Sequence, residues 1–231
     1  MYYVCKPSKI ALYINTGRKA MSAIQKEIGC DIIINGGIFD MSTFHPYCWL
    51  KADGKILNSE SWHRMGYGWD RNKLIYDTSA NISKYQNYIQ CVELPYDLSE
   101  KPSYPDAMGG RRGRSAIGVQ PDGSVVVWCT QDGSYALTPE QLQAEMHNLG
   151  CASSVMLDSG GSCQCITPTG RIVSQRIVQN FICVWLNVNN EVTNPQKPAC
   201  TDGTKESCKY RPPCGYCARY YKKCPLVDGE K

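Results

Sequence analysis

The chain has 231 residues, of which 42% are hydrophobic and 20% charged, and its formal net charge is +4. This length supports one sizeable core with a small appendage, and the composition excludes a disordered or fibrous protein. No segment approaches the ~18 consecutive apolar residues of a membrane-spanning helix, so we expect no membrane partner. The N-terminal residues have no basic leader followed by an apolar run, and no signal peptide is predicted.

Fourteen cysteines are present, which is many for a chain of this size. Because no signal peptide is predicted, we expect a cytoplasmic, reducing location in which the thiols act as small apolar residues or as metal ligands. A secreted protein with a disulfide framework is the alternative. The cysteines that lie in or beside apolar, strand-like runs fit buried thiols: Cys30, Cys91, Cys129, Cys151 and Cys183.

Two segments predict short helices. In TGRKAMSAIQKEIGC, apolar residues recur at helical spacing and Gly29 is a C-terminal stop signal. In LTPEQLQAEMHNLGC, Thr138 is a good N-cap, Pro139 fits the first helical position and Gln141 completes a capping box. Gly150 ends this second helix.

Each predicted helix is followed by Gly-Cys and then by a short buried strand that ends in a polar residue and glycines. The first strand leads into Asn35-Gly36-Gly37, and the second leads into Asp158-Ser159-Gly160-Gly161. Coincidence can account for the repeat, since helix-Gly-strand connections are common. In both places a polar group stands at a strand end beside backbone that a ligand can approach closely.

A third element lies between these two. Residues 115–119 and 125–129 predict two strands joined by the turn Pro121-Asp122-Gly123. Arg114 precedes the first strand, and Asp132 follows the second. A solvated arginine and a turn carboxylate are the simple alternatives for these two residues.

We predict an α+β fold for residues 1–195, with a mixed, largely antiparallel sheet and packed helices. Residues 196–231 form a small Cys-rich C-terminal module in this prediction, because their composition shifts to Pro, Gly and polar residues. Residues 197–231 carry eight basic and four acidic side chains, so the net charge of the chain lies there.

The segments INGGIFD, GRSAIGVQPDG, TQDGSYALTPEQLQAEMHNLGC and VMLDSGGS resemble, in order and spacing, the motifs of the phosphodiester glycosidase family. The resemblance covers roughly residues 9–188. It departs from the family pattern at Met156, which replaces an asparagine, and at Ser159, which replaces a glycine. A serine at that turn could narrow the site or change its substrate.

The resemblance implies a hydrolase that cleaves the sugar C1–O bond of a glycosyl phosphodiester, or of a related sugar phosphate or nucleotide sugar, in a small molecule or a polymer. The expected catalytic residues are Asp158, Asp132, Arg114 and Asn35. The expected substrate-binding residues are Gly36, Gly37, Ser115, Gly160, Gly161 and Ser162. His45 in the loop FDMSTFHPYCW is a further candidate contact, although a loop histidine without a catalytic role is the simpler interpretation.

The chemistry of such a substrate suits these residue types. Phosphate leaves readily, so a strong general acid is needed less than in ordinary glycoside hydrolysis, and no cofactor is expected. Asp158 is the expected nucleophile or base, with Asp132 as a second carboxylate. Arg114 could bind phosphate bidentately, while Asn35, Ser162 and glycine N–H groups complete the site.

Two other classes of function remain open. One is a binding protein for sugar phosphates or nucleotide sugars that keeps the pocket without turnover, an alternative that Ser159 raises. The other is a structural or host-recognition component, for instance of a phage particle. Measured turnover of a substrate would distinguish the hydrolase from both the binding protein and the structural component.

The C-terminal module carries a candidate metal site. Cys208, Cys214, Cys217 and Cys224 include a Cys-x-x-Cys pair, which suits a structural zinc ion. Two disulfides or a disordered basic tail are the alternatives. Interleaved aromatic and basic residues in this segment could contact nucleic acid or a polyanion, but a solvated cap is the favoured interpretation and no nucleic-acid partner is expected.

Overall fold

The computed structural model describes residues 1–60 and 65–187 of the chain. The strands in these ranges are β1 (Tyr2–Cys5), β2 (Pro7–Ile14), β3 (Ile32–Asn35), β4 (Leu50–Ala52), β5 (Lys55–Asn58), β6 (Met65–Trp69), β7 (Ile75–Thr78), β8 (Asn87–Gln90), β9 (Val92–Glu93), β10 (Ser115–Val119), β11 (Val125–Cys129), β12 (Ser153–Met156), β13 (Cys165–Thr167), β14 (Gly170–Ile172) and β15 (Asn180–Leu186). The α-helices are α1 (Met21–Ile28) and α2 (Pro139–Asn148).

The strands form three five-stranded sheets. Their orders are β1-β11-β10-β12-β9, β14-β13-β3-β15-β2 and β5-β4-β8-β6-β7. Every strand pair in this part of the chain is antiparallel. The predicted largely antiparallel pairing is therefore confirmed, but the mixed sheet is wrong. The described chain is mostly β rather than α+β, because strands far apart in sequence pair directly, and the α-helices in these ranges are two short ones.

The three sheets share one apolar core. Ile117 of β10, Ile34 of β3 and Ile89 of β8 all lie in it, and each is fully buried. Because side chains alternate between the two faces of a strand, the neighbours of these residues lie on the opposite face. Ala116 and Ile33 accordingly belong to two separate apolar clusters on outer faces of the first and second sheets.

Each helix covers one of these outer faces. Met21 and Ile24 of α1 lie in the cluster over the second sheet, while Leu142 and Met146 of α2 lie in the cluster over the first. The predicted signals for the start of α2 and for the end of α1 are both present. The capping box between Thr138 and Gln141 is present, and Gly29 adopts the left-handed conformation after α1. Neither helix is long enough and apolar enough to cross a membrane.

The sheet pairings bring the polar strand ends together. In the second sheet Asn35, at the end of β3, pairs with Phe181 near the start of β15. In the first sheet Ala116, near the start of β10, pairs with Met156 at the end of β12. Three of the predicted motifs therefore lie at strand ends, and the 158–162 turn follows β12 directly.

Nine cysteines lie in the described ranges; all are buried, and none of them is in a disulfide: Cys5, Cys30, Cys48, Cys91, Cys129, Cys151, Cys163, Cys165 and Cys183. They occupy apolar positions, as expected for buried thiols. The domain boundary near residue 195 and the candidate zinc ligands Cys208, Cys214, Cys217 and Cys224 lie outside the described residues, and both remain predictions.

We predict that the nine described cysteines resist alkylation in the native protein at pH 8 and react rapidly after denaturation. Burial limits access to all nine thiols, and it raises the pKa of Cys5 and Cys151 to about 12, so these two thiols carry little reactive thiolate. Mass spectrometry of peptides alkylated without reductant, before and after denaturation, measures this directly. Quantitative disulfides among these cysteines would contradict the expected reducing location.

Candidate active site

The 158–162 turn is attached to the end of β3 by main-chain and side-chain hydrogen bonds. The Asp158 amide donates to the Gly36 carbonyl at 3.0 Å, and the Asn35 Nδ2 group donates to the Asp158 carbonyl at 3.0 Å. The Leu157 amide donates to the Ser115 carbonyl at 2.8 Å. Three sequence motifs that are distant along the chain thus meet at one point.

Asn35 is the fully buried centre of this junction. Its Oδ1 atom accepts hydrogen bonds from Ser115 Oγ at 2.7 Å and from the Gln164 amide at 3.2 Å. Its Nδ2 atom donates to the carbonyls of Asp158 and Gly36. Both ends of the amide are engaged by protein groups, and the predicted contact of Asn35 with the sugar or phosphate stays a prediction. The buried Ser115 hydroxyl is likewise turned to Asn35 and not to a ligand.

The amides of Gly36 and Gly37 were expected to cradle an anion, but both donate to Asn180. The Gly36 amide donates to the Asn180 carbonyl and the Gly37 amide to Asn180 Oδ1, each at 2.8 Å. A Cβ atom on Gly36 would lie 1.8 Å from Asn180 Oδ1, so the site requires glycine there. Asn180 was missed from sequence, although a polar residue opening the apolar strand NFICVWL is a recognisable signal.

Asp158 is the carboxylate around which these contacts are arranged. One of its oxygens accepts a hydrogen bond from the Ser159 amide at 2.8 Å, and the Ser162 hydroxyl also hydrogen-bonds to the carboxylate. Burial raises the pKa of Asp158 to about 6, while these hydrogen bonds and the charge of Arg176 oppose the rise. A carboxylate with this pKa can change protonation state near neutral pH.

The glycines of the turn have different surroundings. Gly160 has a positive φ of 63°, and its amide donates to the Gly113 carbonyl at 2.9 Å. The Gly161 amide makes no hydrogen bond to any residue in ranges 1–60 and 65–187, and Gly161 is partly accessible. Ser162 is fully buried beneath it. Of the predicted glycine donors, the Gly161 amide is the one available to a ligand.

Arg114 does not occupy the position expected of a phosphate ligand. It is 0% exposed, and its guanidinium donates to the carbonyls of Leu137 at 2.9 Å, Met108 at 2.8 Å and Gly110 at 2.6 Å. The Nη1 atom of Arg114 also donates a hydrogen bond to Ser159 Oγ at 3.3 Å. These partners explain why an arginine can be buried here, and they engage the guanidinium group that the prediction assigned to phosphate.

The second predicted carboxylate, Asp132, is exposed at the edge of the site. Its Oδ1 atom accepts a hydrogen bond from the Gly113 amide at 2.5 Å, and the Gly113 carbonyl accepts from Gly160. Asp132 therefore contacts the segment that holds the 158–162 turn. His45 is also exposed, and its main chain closes a loop through hydrogen bonds with Asp40 and Thr43.

Sequence reasoning missed Arg176, which precedes β15 and is exposed. Its Nη1 atom donates to Ser162 Oγ at 3.1 Å, and Ser162 contacts Asp158 in turn. The only sequence signal is its position in RIVQNF, close to the closing strand. Elsewhere, among the residues described, no group of three or more His, Cys, Asp or Glu side chains is arranged to hold a metal ion.

Comparison with known proteins supports the arrangement of motifs. The family model described as phosphodiester glycosidase matches residues 29–185. No curated protein sequence matches the chain significantly. A solved structure titled as the zebrafish N-acetylglucosamine-1-phosphodiester alpha-N-acetylglucosaminidase catalytic domain, auto-inhibited by its pro-peptide, is similar with a TM-score of 0.62 and 14% identity, over 80% of this chain and 73% of that one.

Two other solved structures are similar. A hypothetical protein from Synechocystis has a TM-score of 0.61 and 11% identity, covering 78% of this chain and 57% of that chain. A putative exported protein from Burkholderia pseudomallei has a TM-score of 0.58 and 13% identity, covering 79% of this chain and 72% of that chain. At these identities the three structures establish a shared fold.

We predict that Asn35→Asp lowers the free energy of unfolding by roughly 2–4 kcal/mol, because an acceptor replaces the donor that faces two carbonyls. Urea denaturation monitored by tryptophan fluorescence measures the change. Asn148→Asp, at an exposed position at the end of α2, is the matched control and should shift stability by less than about 0.5 kcal/mol. Equal midpoints for the two variants would contradict the assigned role of Asn35.

We also predict that Asp158→Asn stabilises the fold above pH 6. The folded-state pKa is about 6 against a reference value of 3.8, so ionisation opposes folding and stability falls as the pH rises between these values. This pKa difference corresponds to a loss of at most about 3 kcal/mol in the free energy of unfolding. The asparagine side chain of the variant does not ionise, so the variant avoids this loss. Thermal unfolding from pH 4 to 8 should show a stability gap between variant and wild type that widens up to about pH 6 and is constant above it. Glu100→Gln, at an exposed position, is the control for the removal of a carboxylate.

Proposed function

Because this chain belongs to the phosphodiester glycosidase family, we propose that it hydrolyses the sugar C1–O bond of a glycosyl phosphodiester or a related nucleotide sugar. The observation that carries the proposal is Asp158, a partly buried carboxylate with a pKa raised to about 6 where the family motifs meet. The identity of the sugar and of the group beyond the phosphate is part of the proposal to be tested.

In the proposed reaction the bond between C1 and the phosphate oxygen breaks, and its electron pair stays on that oxygen. The oxygen of water becomes bonded to C1, and the water proton is released. Ionised Asp158 serves either as the base that takes the proton from water, or as the nucleophile that first bonds to C1. In the second case water then attacks C1, the bond between C1 and Asp158 breaks, and the carboxylate is regenerated. The phosphate is a good leaving group, so the step requires no cofactor in this proposal.

The residues around Asp158 suit this role. Asn35 holds the main chain of Asp158, and the Ser159 amide and Ser162 hydroxyl hydrogen-bond to its carboxylate. A carboxylate held by several short contacts keeps its orientation, and preorganised geometry contributes to catalysis. Asp132 is the candidate second carboxylate, since it contacts the Gly113 segment beside the turn.

The binding-protein alternative rested on Ser159. Its hydroxyl donates to the Leu157 carbonyl at 3.3 Å and contacts the buried Arg114 guanidinium at 3.3 Å. Those contacts direct the hydroxyl toward buried protein groups, so a narrowed pocket is not the expected consequence of the serine. This orientation favours the enzyme over the binder.

We predict that Asp158→Asn lowers turnover by roughly 10²–10⁴-fold while preserving the fold. Purified protein is incubated with a panel of sugar-1-phosphodiesters, nucleotide sugars and cyclic ADP-ribose-like molecules, and released sugar is measured by chromatography. Wild-type turnover should fall as the pH drops through about 6, because protonation removes the reactive carboxylate.

Asp132→Asn is the comparison variant, and a smaller loss is expected because its carboxylate is exposed and bonded to a backbone amide. Tight binding of panel members that remain intact with wild-type protein would support the binding protein instead. Near-complete activity in Asp158→Asn would transfer the central role to Asp132.

A further inference from the structure

The exposed Arg176 guanidinium lies over the 160–162 turn. Its Nη1 atom donates to Ser162 Oγ, and its Nη2 atom is 2.8 Å from the position a Cβ on Gly161 would occupy. The glycine therefore makes room for the guanidinium to lie close to the turn. The main-chain amide of Arg176 donates to Ser174 Oγ, but the other guanidinium N–H groups form no hydrogen bond with the residues of ranges 1–60 and 65–187, so they are available to a ligand.

A second donor is present on the same turn. The Gly161 amide has no hydrogen-bond acceptor within those ranges, and the guanidinium that packs against Gly161 supplies a positive charge. A backbone N–H beside an arginine is a donor set that suits the oxygens of a phosphate, since the arginine can bind two oxygens at once. Both donors belong to residues adjacent to Ser162, which contacts Asp158.

From this geometry we infer that Arg176 and the Gly161 amide bind the phosphate group of the substrate. The inference rests on the proposed function for the identity of the ligand, and it assigns to Arg176 the role that the sequence suggested for Arg114. The two arginines differ in what their guanidinium groups contact: Arg114 is fully buried against three carbonyls, whereas Arg176 is exposed beside the carboxylate.

This position also has a consequence for the reaction. Ser162 Oγ accepts from Arg176 and hydrogen-bonds to Asp158, so the phosphate-binding group and the carboxylate are linked through one buried hydroxyl. A phosphate on Arg176 places the scissile C1–O bond near Asp158, and the guanidinium stabilises the negative charge that develops on the leaving oxygen.

The test uses inorganic phosphate as the probe and the full chain as the protein. Isothermal titration at constant ionic strength is performed on wild type, Arg176→Gln, Arg176→Lys and Gly161→Ala. We expect roughly 10–100-fold weaker binding for Arg176→Gln, the range of one charge-assisted contact, and a smaller loss for Arg176→Lys, which keeps the charge but not the planar fork. Gly161→Ala should also weaken binding, because the methyl group displaces the guanidinium without removing it.

Arg171→Gln is the matched control, since Arg171 is an exposed arginine on the neighbouring strand β14. Unchanged phosphate affinity is expected there, and circular dichroism checks that every variant is folded. Equal affinity in Arg176→Gln and wild type, or no phosphate binding by the wild type at millimolar concentration, would overturn the inference.

Turnover measurements separate this inference from the proposed function. If a panel phosphodiester is hydrolysed, Arg176→Gln should raise KM by a similar factor and also lower kcat, whereas a purely structural role would leave phosphate binding unchanged. Arg176-dependent phosphate binding without any hydrolysis would overturn the proposed function and keep the phosphate site. If hydrolysis depends on Asp158 but phosphate binding does not depend on Arg176, the proposed function is kept and the phosphate site at Arg176 is overturned.

Discussion

The buried amide of Asn35 is the interaction on which the site depends. It stands at the end of β3 in one sheet, accepts from Ser115 at the start of β10 in another, and donates to the main chain of Asp158 after β12. A buried amide with unmet hydrogen bonds is costly, so the three strand ends can be brought together only when all partners are present. The position of the Asp158 carboxylate follows from that requirement.

The site shows a division between residues that hold its shape and residues that face a ligand. Asn35, Arg114 and Asn180 are buried, and their side chains are bonded to protein. Asp158 is partly buried and Arg176 is exposed, and both lie at the 158–162 turn. The buried guanidinium of Arg114 is compensated by its carbonyl acceptors, whereas the guanidinium of Arg176 keeps N–H groups that water or an anion can bind.

Elements whose signals are local in sequence were predicted well. The capping box of α2, the left-handed Gly29 after α1 and the strands of residues 115–119 and 125–129 all appear where expected. Caps, turns and apolar periodicity depend on residues within a few positions of one another. The arrangement into three sheets was not predicted, because pairs such as Asn35 with Phe181 join segments far apart in the chain.

The sequence by itself identified the family and the central carboxylate, because the ordered motifs include Asp158, but it did not single out Asn180 or Arg176. Only the tertiary structure decided what each side chain does. Arg114 and Arg176 are the same residue type, and no local pattern separates them; one is bonded to the carbonyls of Met108, Gly110 and Leu137, and the other lies across Gly161. Hydrogen-bond partners and solvent exposure are properties of the folded neighbourhood, and they assign the two arginines to different roles.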